Sequence, residues 1–207
     1  MKEIAIILPT RGTVFAEVED SITRNLKPFN YTVYRSWDLV IPDSENYLVD
    51  KALVKNPDNL LFIEEDTVLP DGGIERLISL NADIACIDYG VAGWGCVTKN
   101  RRGDILWCGL GCTLVKPYVF DKLERPYFRS DIELRLNDMA WVKSPPNKYG
   151  GQDIYFCCQA RQSGFKIKQV EGMEAKHLKL ENLGTPELNR GLHTIGIKDA
   201  ISKRQVI

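Results

Sequence analysis

The sequence has only two histidines, His177 and His193, and its six cysteines show no CxxC spacing. A zinc site built from cysteine pairs is therefore excluded, and we expect reduced, mostly buried thiols. No stretch approaches the ~20 apolar residues of a membrane-spanning helix. The first apolar run is too short for a signal peptide and lacks a small-residue cleavage site. We therefore expect a cytoplasmic protein without a membrane span.

An excess of charge of one sign is also absent, because 27 lysines and arginines nearly balance 28 aspartates and glutamates. No field of the whole protein draws it to nucleic acid or to an acidic membrane, so any such partner must be held locally. The sequence has no internal repeat and no linker that would mark a domain boundary. At 207 residues it is long enough for one well-buried core, and we expect a single domain over residues 1–207.

The first half of the sequence alternates apolar strands with helices. Strands are predicted at residues 3–8, 31–34, 60–63 and 83–87, and segments with helical periodicity separate them. This alternation predicts an α/β fold with a central, mostly parallel sheet that is covered by helices on both faces. Ligands are then expected at the carboxyl ends of the strands.

The second half of the sequence is less regular. Residues 107–115 predict one strand whose glycines let another group approach the backbone closely. A helix is predicted from residues 150–153 to Gly164, and a half-exposed strand is predicted at residues 165–170. Residues 181–207 show weak periodicity, and we expect them to cross the site or to have no fixed position.

Three consecutive carboxylates, Glu64, Glu65 and Asp66, follow the third strand. In an extended chain, alternate side chains share a face, so Glu64 and Asp66 point one way and Glu65 points the other. Two carboxylates in one crevice repel unless a proton or a cation lies between them, and oxygen ligands suit Mg²⁺ or Mn²⁺. An acidic, solvated strand end explains this pattern equally well.

Five short motifs occur in a fixed order: PTRG after the first strand, EED after the third, GLG before a strand, GGQD at a helix start, and then a histidine. Together they resemble a GT-A glycosyltransferase of the family 2 type over roughly residues 4–180. The resemblance implies a single-domain, Rossmann-like α/β/α sandwich with a nucleotide-binding half (1–90), an acceptor half (91–180) and a C-terminal tail (181–207) over or near the site.

The sequence departs from the family pattern in two places. The usual DxD motif is Glu64-Glu65-Asp66 here, which keeps a carboxylate at the first position on a longer side chain. The residue before the expected catalytic aspartate is commonly an acid, and it is Gln152 here. The second change removes a negative charge beside the aspartate.

The resemblance implies a reaction: transfer of a sugar from a nucleotide-sugar donor, most simply a UDP-sugar, to a hydroxyl acceptor. A cation, Mn²⁺ or Mg²⁺, would be held by Asp66, Glu64 and His177. Asp153 would be the general base, and attack opposite the leaving group would invert the anomeric centre. The acceptor would be a glycan, a small molecule or, as a less favoured hypothesis, a hydroxylated base in nucleic acid. From local sequence alone, a surface histidine is the better explanation of His177, and a helix N-terminal acid is the better explanation of Asp153.

The residues that the resemblance assigns to the nucleotide sugar lie mostly in the first half of the chain. They are Pro9, Thr10, Arg11, Asp38, Asn46, Glu64, Glu65 and Gly111. Arg11 is able to reach a phosphate, Asp38 lies where such enzymes often place a carboxylate near a uracil imide, and Asn46 opens the helix beside the base. Simpler explanations are a turn-forming residue for Asp38 and an exposed helix residue for Asn46.

Two alternative functions share this layered α/β plan. A sugar-phosphate nucleotidyltransferase needs a glycine-rich phosphate-binding loop after the first strand, and the segment PTRG is poor in glycine. A carbohydrate-binding or nucleotide-binding protein that keeps the fold without turnover is favoured by Glu64 and Gln152, the two departures from the family pattern.

Overall fold

The computed structural model describes residues 3–37, 39–91, 94–135, 140–144 and 151–178. Its helices are α1 (Ala16–Leu26), α2 (Asp43–Leu53), α3 (Gly73–Ser79), α4 (Pro117–Phe120) and α5 (Gln152–Gln162). Its strands are β1 (Glu3–Pro9), β2 (Asn30–Ser36), β3 (Asn59–Ile63), β4 (Thr67–Val68), β5 (Ile84–Val91), β6 (Trp94–Gly95), β7 (Val97–Lys99), β8 (Ile105–Cys108), β9 (Cys112–Val115), β10 (Ile132–Arg135), β11 (Ala140–Lys143) and β12 (Ile167–His177). Contacts divide the chain into two units, Met1–His177 and Leu178–Ile207, and these elements belong to the first.

A mixed sheet forms the centre of this unit. Its strand order is β2-β1-β3-β9-β5-β12-β4, and β6 pairs with β5. The strands β2, β1, β3, β5 and β12 run parallel to one another, whereas β9 and β4 run antiparallel to their neighbours. The predicted central, mostly parallel sheet is thus confirmed. The parallel strands end at one edge, which we call the carboxyl edge, and the loops that follow them meet there.

Alternate side chains of β3 enter two different layers. Leu60 and Phe62 pack in a core cluster with Leu48 of α2 and Phe156 of α5, so these two helices cover one face of the sheet. On the other face, Ile87 of β5 lies against the start of α3, and α1 packs beside α3. All five residues of β3 are buried, as expected for a strand with helices on both sides.

The prediction of one strand at residues 107–115 is wrong, because this segment contributes to two strands, β8 and β9, in different sheets. The chain leaves β8 at Cys108 and enters the central sheet only at Cys112. The intervening glycines lie against the side chain of Tyr89, a residue distant in sequence, so the break was not visible locally.

The cysteines and the lengths of the helices bear on two expectations from the sequence. All six cysteines are free thiols, and five of them are buried, which confirms the expectation of reduced, mostly buried cysteines. Within the described ranges, no helix combines the length and the apolar character needed to cross a bilayer.

Candidate active site

The acidic run after β3 meets a histidine at the carboxyl edge. Glu64, Asp66 and His177 each offer a ligand atom, and these atoms lie within 4.8 Å of one another. The Nε2 atom of His177 lies 3.5 Å from Oδ1 of Asp66. The ligand atoms of Glu64 and Asp66 thus cluster, and His177 faces them. The extended chain assumed for this prediction is wrong, because β3 ends at Ile63 and a turn follows, in which the Thr67 N–H donates to the Glu64 carbonyl at 3.2 Å.

Strand pairing brings the histidine to the carboxylates. The end of β12 pairs antiparallel with β4, so that Lys176 lies opposite Val68 and His177 lies opposite Thr67. Because Thr67 directly follows Asp66, this register places the imidazole beside the Asp66 carboxylate. His177 is the last residue of β12, so its position is fixed by the sheet.

Tyr89 of β5 supports the histidine. Its ring stacks on the His177 imidazole, with centroids 5.9 Å apart and planes inclined by 12°. Its hydroxyl accepts a hydrogen bond from the backbone N–H of Gly111 at 3.0 Å. A Cβ atom at Gly109 would collide with this hydroxyl, and one at Gly111 would lie 2.8 Å from both the Tyr89 ring and Thr67 Oγ1. Glycine is needed at both positions because other parts of the protein fill the adjacent space.

The Glu64, Asp66 and His177 side chains fit a divalent cation. Two carboxylates offer oxygen ligands and an imidazole offers nitrogen, a combination suited to Mn²⁺ and Mg²⁺. In an octahedral shell with bonds of about 2.1 Å, ligand atoms lie roughly 3 to 4.2 Å apart, close to the spacing found here. Nε2 of His177 faces Asp66 and is the ring nitrogen placed to bind a cation. Nδ1 is buried and has no hydrogen-bond partner among the described residues, whereas a metal-binding histidine usually donates its other ring N–H to a neighbouring group. The fit to a cation therefore rests on the types of the ligand atoms and on their spacing.

Glu65 is directed to the loop between β1 and α1. Its carboxylate accepts a hydrogen bond from the Arg11 backbone N–H at 2.7 Å and forms an ion pair with the Arg11 guanidinium. Its carbonyl oxygen accepts a hydrogen bond from the backbone N–H of Phe15 at 3.1 Å. The same guanidinium lies 3.9 Å from Oδ2 of Asp66. The carboxylate that the resemblance assigns to the nucleotide sugar therefore holds Arg11 at the edge of the cluster.

Asp153 lies in the first turn of α5, and the hydrophobic core fixes the position of this helix. The helix follows Gly151, whose φ of 87° is readily adopted only by glycine. Phe156 of α5 packs near Phe62 of β3, with ring centroids 6.5 Å apart. Phe156 lies three residues after Asp153, and Phe62 lies two residues before Glu64. One aromatic contact in the core therefore ties together the two elements that carry the acidic groups.

The carboxyl groups of this region interact electrostatically. Burial, together with the charges of Asp66 and Asp153, raises the pKa of Glu64 to about 8, and Arg11 opposes the shift. Burial also raises the pKa of Asp153, against backbone hydrogen bonds that include one from Ile154 N–H at 2.8 Å. Glu64 and Asp153 are thus close enough to sense each other's charge, and both bind protons more tightly than ordinary carboxyl groups.

The other residues predicted for nucleotide binding have mixed surroundings. Pro9 ends β1, and Thr10 is buried in the loop that follows. The side chain of Asn46 clamps the backbone of Phe128, donating to its carbonyl at 2.9 Å and accepting from its N–H at 3.2 Å. The amide of Asn46 is therefore used inside the protein. Asp38 lies outside the described residues.

Sequence reasoning missed Tyr89 and Glu45, which both lie close to the acidic groups. Burial raises the pKa of each, and the charges of Glu64 and Asp153 add to the shift. A signal for Glu45 was available, because it shares one helical face with Leu48, Val49 and Ala52, all buried. An acid within the apolar stripe of a helix indicates a buried carboxyl group.

The sequence matches no protein-family model and no curated protein sequence. Among solved structures, the fold is similar to the A197 protein from STIV, with a TM-score of 0.61, 19% identity and coverage of 86% of each chain. It is also similar to GalNAc-T7 solved with UDP, GalNAc and Mn²⁺, with a TM-score of 0.52 and 10% identity. That match covers 86% of this chain and 44% of the GalNAc-T7 chain.

At such low identities these similarities concern the fold alone. They agree with the strand order and the layers described above, and they confirm the predicted Rossmann-like, GT-A-like α/β fold. Membership of family 2 stays a prediction. The chain therefore has a GT-A-like fold with an acidic, histidine-containing cluster at the carboxyl edge of its sheet.

Proposed function

We propose that this protein is a metal-dependent glycosyltransferase that moves a sugar from a nucleotide-sugar donor, most simply a UDP-sugar, to a hydroxyl acceptor. One observation carries the proposal: Glu64, Asp66 and His177 offer ligand atoms within 4.8 Å of one another, at the edge where such a sheet binds its ligands. The GT-A-like fold adds support, because GalNAc-T7 was solved with a nucleotide, a sugar and Mn²⁺.

The acidic cluster would hold Mn²⁺ or Mg²⁺, with Asp66 and His177 as direct ligands and Glu64 as a ligand or as a partner of the ribose hydroxyls. When bound, the cation would stabilise the negative charge that develops on the departing nucleotide. Tyr89 would keep the His177 imidazole oriented by stacking at 5.9 Å. Glu64, whose pKa is raised to about 8, would lose its proton more readily with a cation beside it.

Asp153 would take the proton of the acceptor hydroxyl. Its raised pKa makes it a stronger base than an ordinary aspartate, while the backbone N–H of Ile154 keeps one carboxylate oxygen oriented. If Asp153 and the acidic cluster act on opposite sides of the anomeric carbon, attack occurs opposite the leaving group and inverts the configuration.

The nucleotide would lie along the carboxyl edge beside the loop after β1. Arg11 would meet a phosphate there, because Glu65 holds its guanidinium at the edge of the cluster. Pro9 and Thr10 would line the base or the ribose, and Asp38 remains a predicted contact of the base. Asn46, whose amide bonds to the backbone of Phe128, would act only through the position of its helix. For Gly111, a donor would have to approach its backbone from a side that Tyr89 leaves open.

The experiment is a donor screen with the full chain. UDP-sugars and GDP-sugars are incubated with Mn²⁺, Mg²⁺ or a chelator, and release of the nucleoside diphosphate is measured together with the thermal shift. Metal-stimulated release from one donor supports the proposal, and the anomeric configuration of the product, read by NMR, tests inversion. Pyrophosphate release from a sugar 1-phosphate and a nucleoside triphosphate would instead identify a nucleotidyltransferase. Metal-independent sugar binding without turnover would identify a binding protein.

A further inference from the structure

Glu45 of α2 is a buried acid next to the start of α5. Only 2% of Glu45 and 5% of Gln152 is exposed to solvent. The side-chain N–H of Gln152 donates a hydrogen bond to Oε1 of Glu45, with a donor–acceptor distance of 3.4 Å. Gln152 is the first residue of α5 and directly precedes Asp153, so this contact joins α2 to the helix turn that carries the proposed base.

Each side chain of this pair has one oxygen without a hydrogen-bond partner in the described part of the chain. The atoms are Oε2 of Glu45 and Oε1 of Gln152, and both are buried. A carboxylate oxygen and an amide oxygen are both acceptors, so an ionised Glu45 cannot donate a hydrogen bond to the side-chain oxygen of Gln152. A carboxylic acid carries an O–H donor, and one proton on Oε2 would let the same two side chains complete both hydrogen bonds.

The electrostatic surroundings of Glu45 favour that proton. Burial raises its pKa well above the usual range, and the charges of Glu64 and Asp153 raise it further, while the hydrogen bond from Gln152 lowers it. Among the described residues, the charged groups acting on it are thus Glu64 from the end of β3 and Asp153 from α5. A dry site and two acidic neighbours both favour the neutral form.

We propose that Glu45 is held as a neutral carboxylic acid in a reciprocal pair of hydrogen bonds with Gln152, and that this pair is the positioning device for Asp153. Glu45 donates from Oε2 to Oε1 of Gln152 and accepts from its Nε2. A role of this pair in catalysis rests on the proposed function. The protonation of Glu45 and its pairing with Gln152 do not depend on it. The pair also explains glutamine at position 152, because a glutamate there would face a second acid.

Three variants test the pair through thermal unfolding at pH 5 and pH 8. In Glu45→Gln, an amide N–H replaces the acid O–H, so we expect the melting temperature to equal that of the wild type at pH 5 and to exceed it at pH 8. In the wild type, Glu45 stays neutral in the folded protein but ionises in the unfolded chain above about pH 4.3. Ionisation stabilises the unfolded chain, so wild-type stability falls as the pH rises, whereas the variant has no such group. Asp43→Asn, at an exposed acid of the same helix, is the control and should show no such change.

Exchanging the acid and the amide between positions 45 and 152 is the sharper test. In Gln152→Glu, two acids compete for one proton, so the melting temperature should fall by several degrees at pH 8 and by less at pH 5. The double variant Glu45→Gln/Gln152→Glu restores an acid and an amide in exchanged positions and should recover the loss. A double variant no more stable than Gln152→Glu, or a Glu45→Gln protein less stable than the wild type at pH 8, would overturn the pairing.

Two spectroscopic measurements complete the test without turnover. Infrared spectra at pH 7 should contain the C=O band of a protonated carboxyl group that Glu45→Gln lacks, and an unchanged spectrum would mean that Glu45 is ionised. NMR titration of the Asp153 carboxyl carbon, assigned with Asp153→Asn, should shift in Gln152→Glu and return in the double variant. If Asp153 titrates identically in all of these proteins, the pair does not position it. If these results hold but no donor reacts, the proposed function fails and the pairing stands.

Discussion

Glu65 and Glu45 are both almost fully buried, at 7% and 2% exposure, yet the protein accommodates their carboxyl groups in different ways. Glu65, after β3, accepts a hydrogen bond from the backbone N–H of Arg11 and forms an ion pair with its guanidinium. Glu45, beside α5, accepts one long hydrogen bond from Gln152, and its other oxygen has no partner among the residues that the structure describes. The first region compensates a negative charge with a cation, and the second compensates it, as we propose, with a proton.

This difference assigns separate tasks to the two sides of the site. A region that already contains a guanidinium and several carboxylates is suited to ionic partners, such as a metal and phosphates. A region with few counter-charges keeps its carboxyl groups basic, which suits removal of a proton from a neutral hydroxyl group. The raised pKa of Asp153 agrees with this second task.

The largest expected effect comes from the second region. Asp153→Asn removes the proposed base and should lower sugar transfer by about 10²–10⁴-fold, the range typical of general acid–base catalysis, with donor affinity unchanged. In the wild type, transfer should fall as the pH drops through the Asp153 pKa, and this fall should begin at a higher pH than for an ordinary aspartate. Rates and donor affinities across pH provide the measurement.

Asp131→Asn is the control for that variant, since Asp131 is an exposed acid paired with Arg129 at 2.7 Å. It should transfer sugar at the wild-type rate. If Asp153→Asn kept full activity, Asp153 would not be the base, and the two regions would not have separate tasks.

The next effect concerns metal binding in the first region. Asp66→Ala removes a carboxylate that lies 3.5 Å from His177, and Mn²⁺ affinity should fall by more than the roughly 10 to 100-fold typical of residues that only support a ligand. Glu65→Gln changes the adjacent acid, which faces Arg11, and should alter Mn²⁺ affinity by less than about tenfold. Calorimetric titration with Mn²⁺ measures both. Equal losses of Mn²⁺ affinity in the two variants would mean that Glu65 and Asp66 do not have different roles in metal binding.

The same chemical change at the two buried acids should have opposite effects on stability. Glu65→Gln removes the charge that pairs with Arg11, so we expect unfolding free energy to fall by about 1.5–3 kcal/mol, as for hydrogen bonds to charged groups. Glu45→Gln should not lower it at neutral pH, because an amide there replaces a neutral acid. Denaturant unfolding of both variants at pH 7 provides the comparison, and losses of equal size would contradict it.

The sequence predicted the sheet better than the local geometry of the acidic run. Glu64 and Asp66 do cluster, but they do so in a turn and not in the extended chain that the alternation assumed. The apolar strands and the carboxyl edge followed from the alternation of strands and helices. His177 was assigned to the cluster only through the family resemblance, because its pairing opposite Thr67 joins strands far apart in the sequence.

Contacts between distant segments were not predictable. The break between β8 and β9 depends on Tyr89, whose hydroxyl lies against the backbone of Gly109 and Gly111. The Arg11–Glu65 pair depends on two loops that meet only in the folded sheet. Asn46 illustrates the same limit, since its helix was predicted but its bonds to the backbone of Phe128 were not.

The smallest expected effect comes from an exposed counterpart of the Arg11–Glu65 pair. Arg24 and Asp71 form an ion pair at 3.2 Å, but their side chains are 51% and 82% exposed. Because water and salt screen such a pair, Asp71→Asn should change unfolding free energy by less than about 0.5 kcal/mol. Denaturant unfolding at low and high salt, beside Glu65→Gln, measures the difference. The two arginines are similarly exposed, so the comparison tests the burial of the acidic side chain, which is 9% exposed in Glu65. If both variants lose the same stability, burial of Glu65 is not what gives the Arg11–Glu65 pair its strength, and the contrast between the two buried glutamates loses its physical basis.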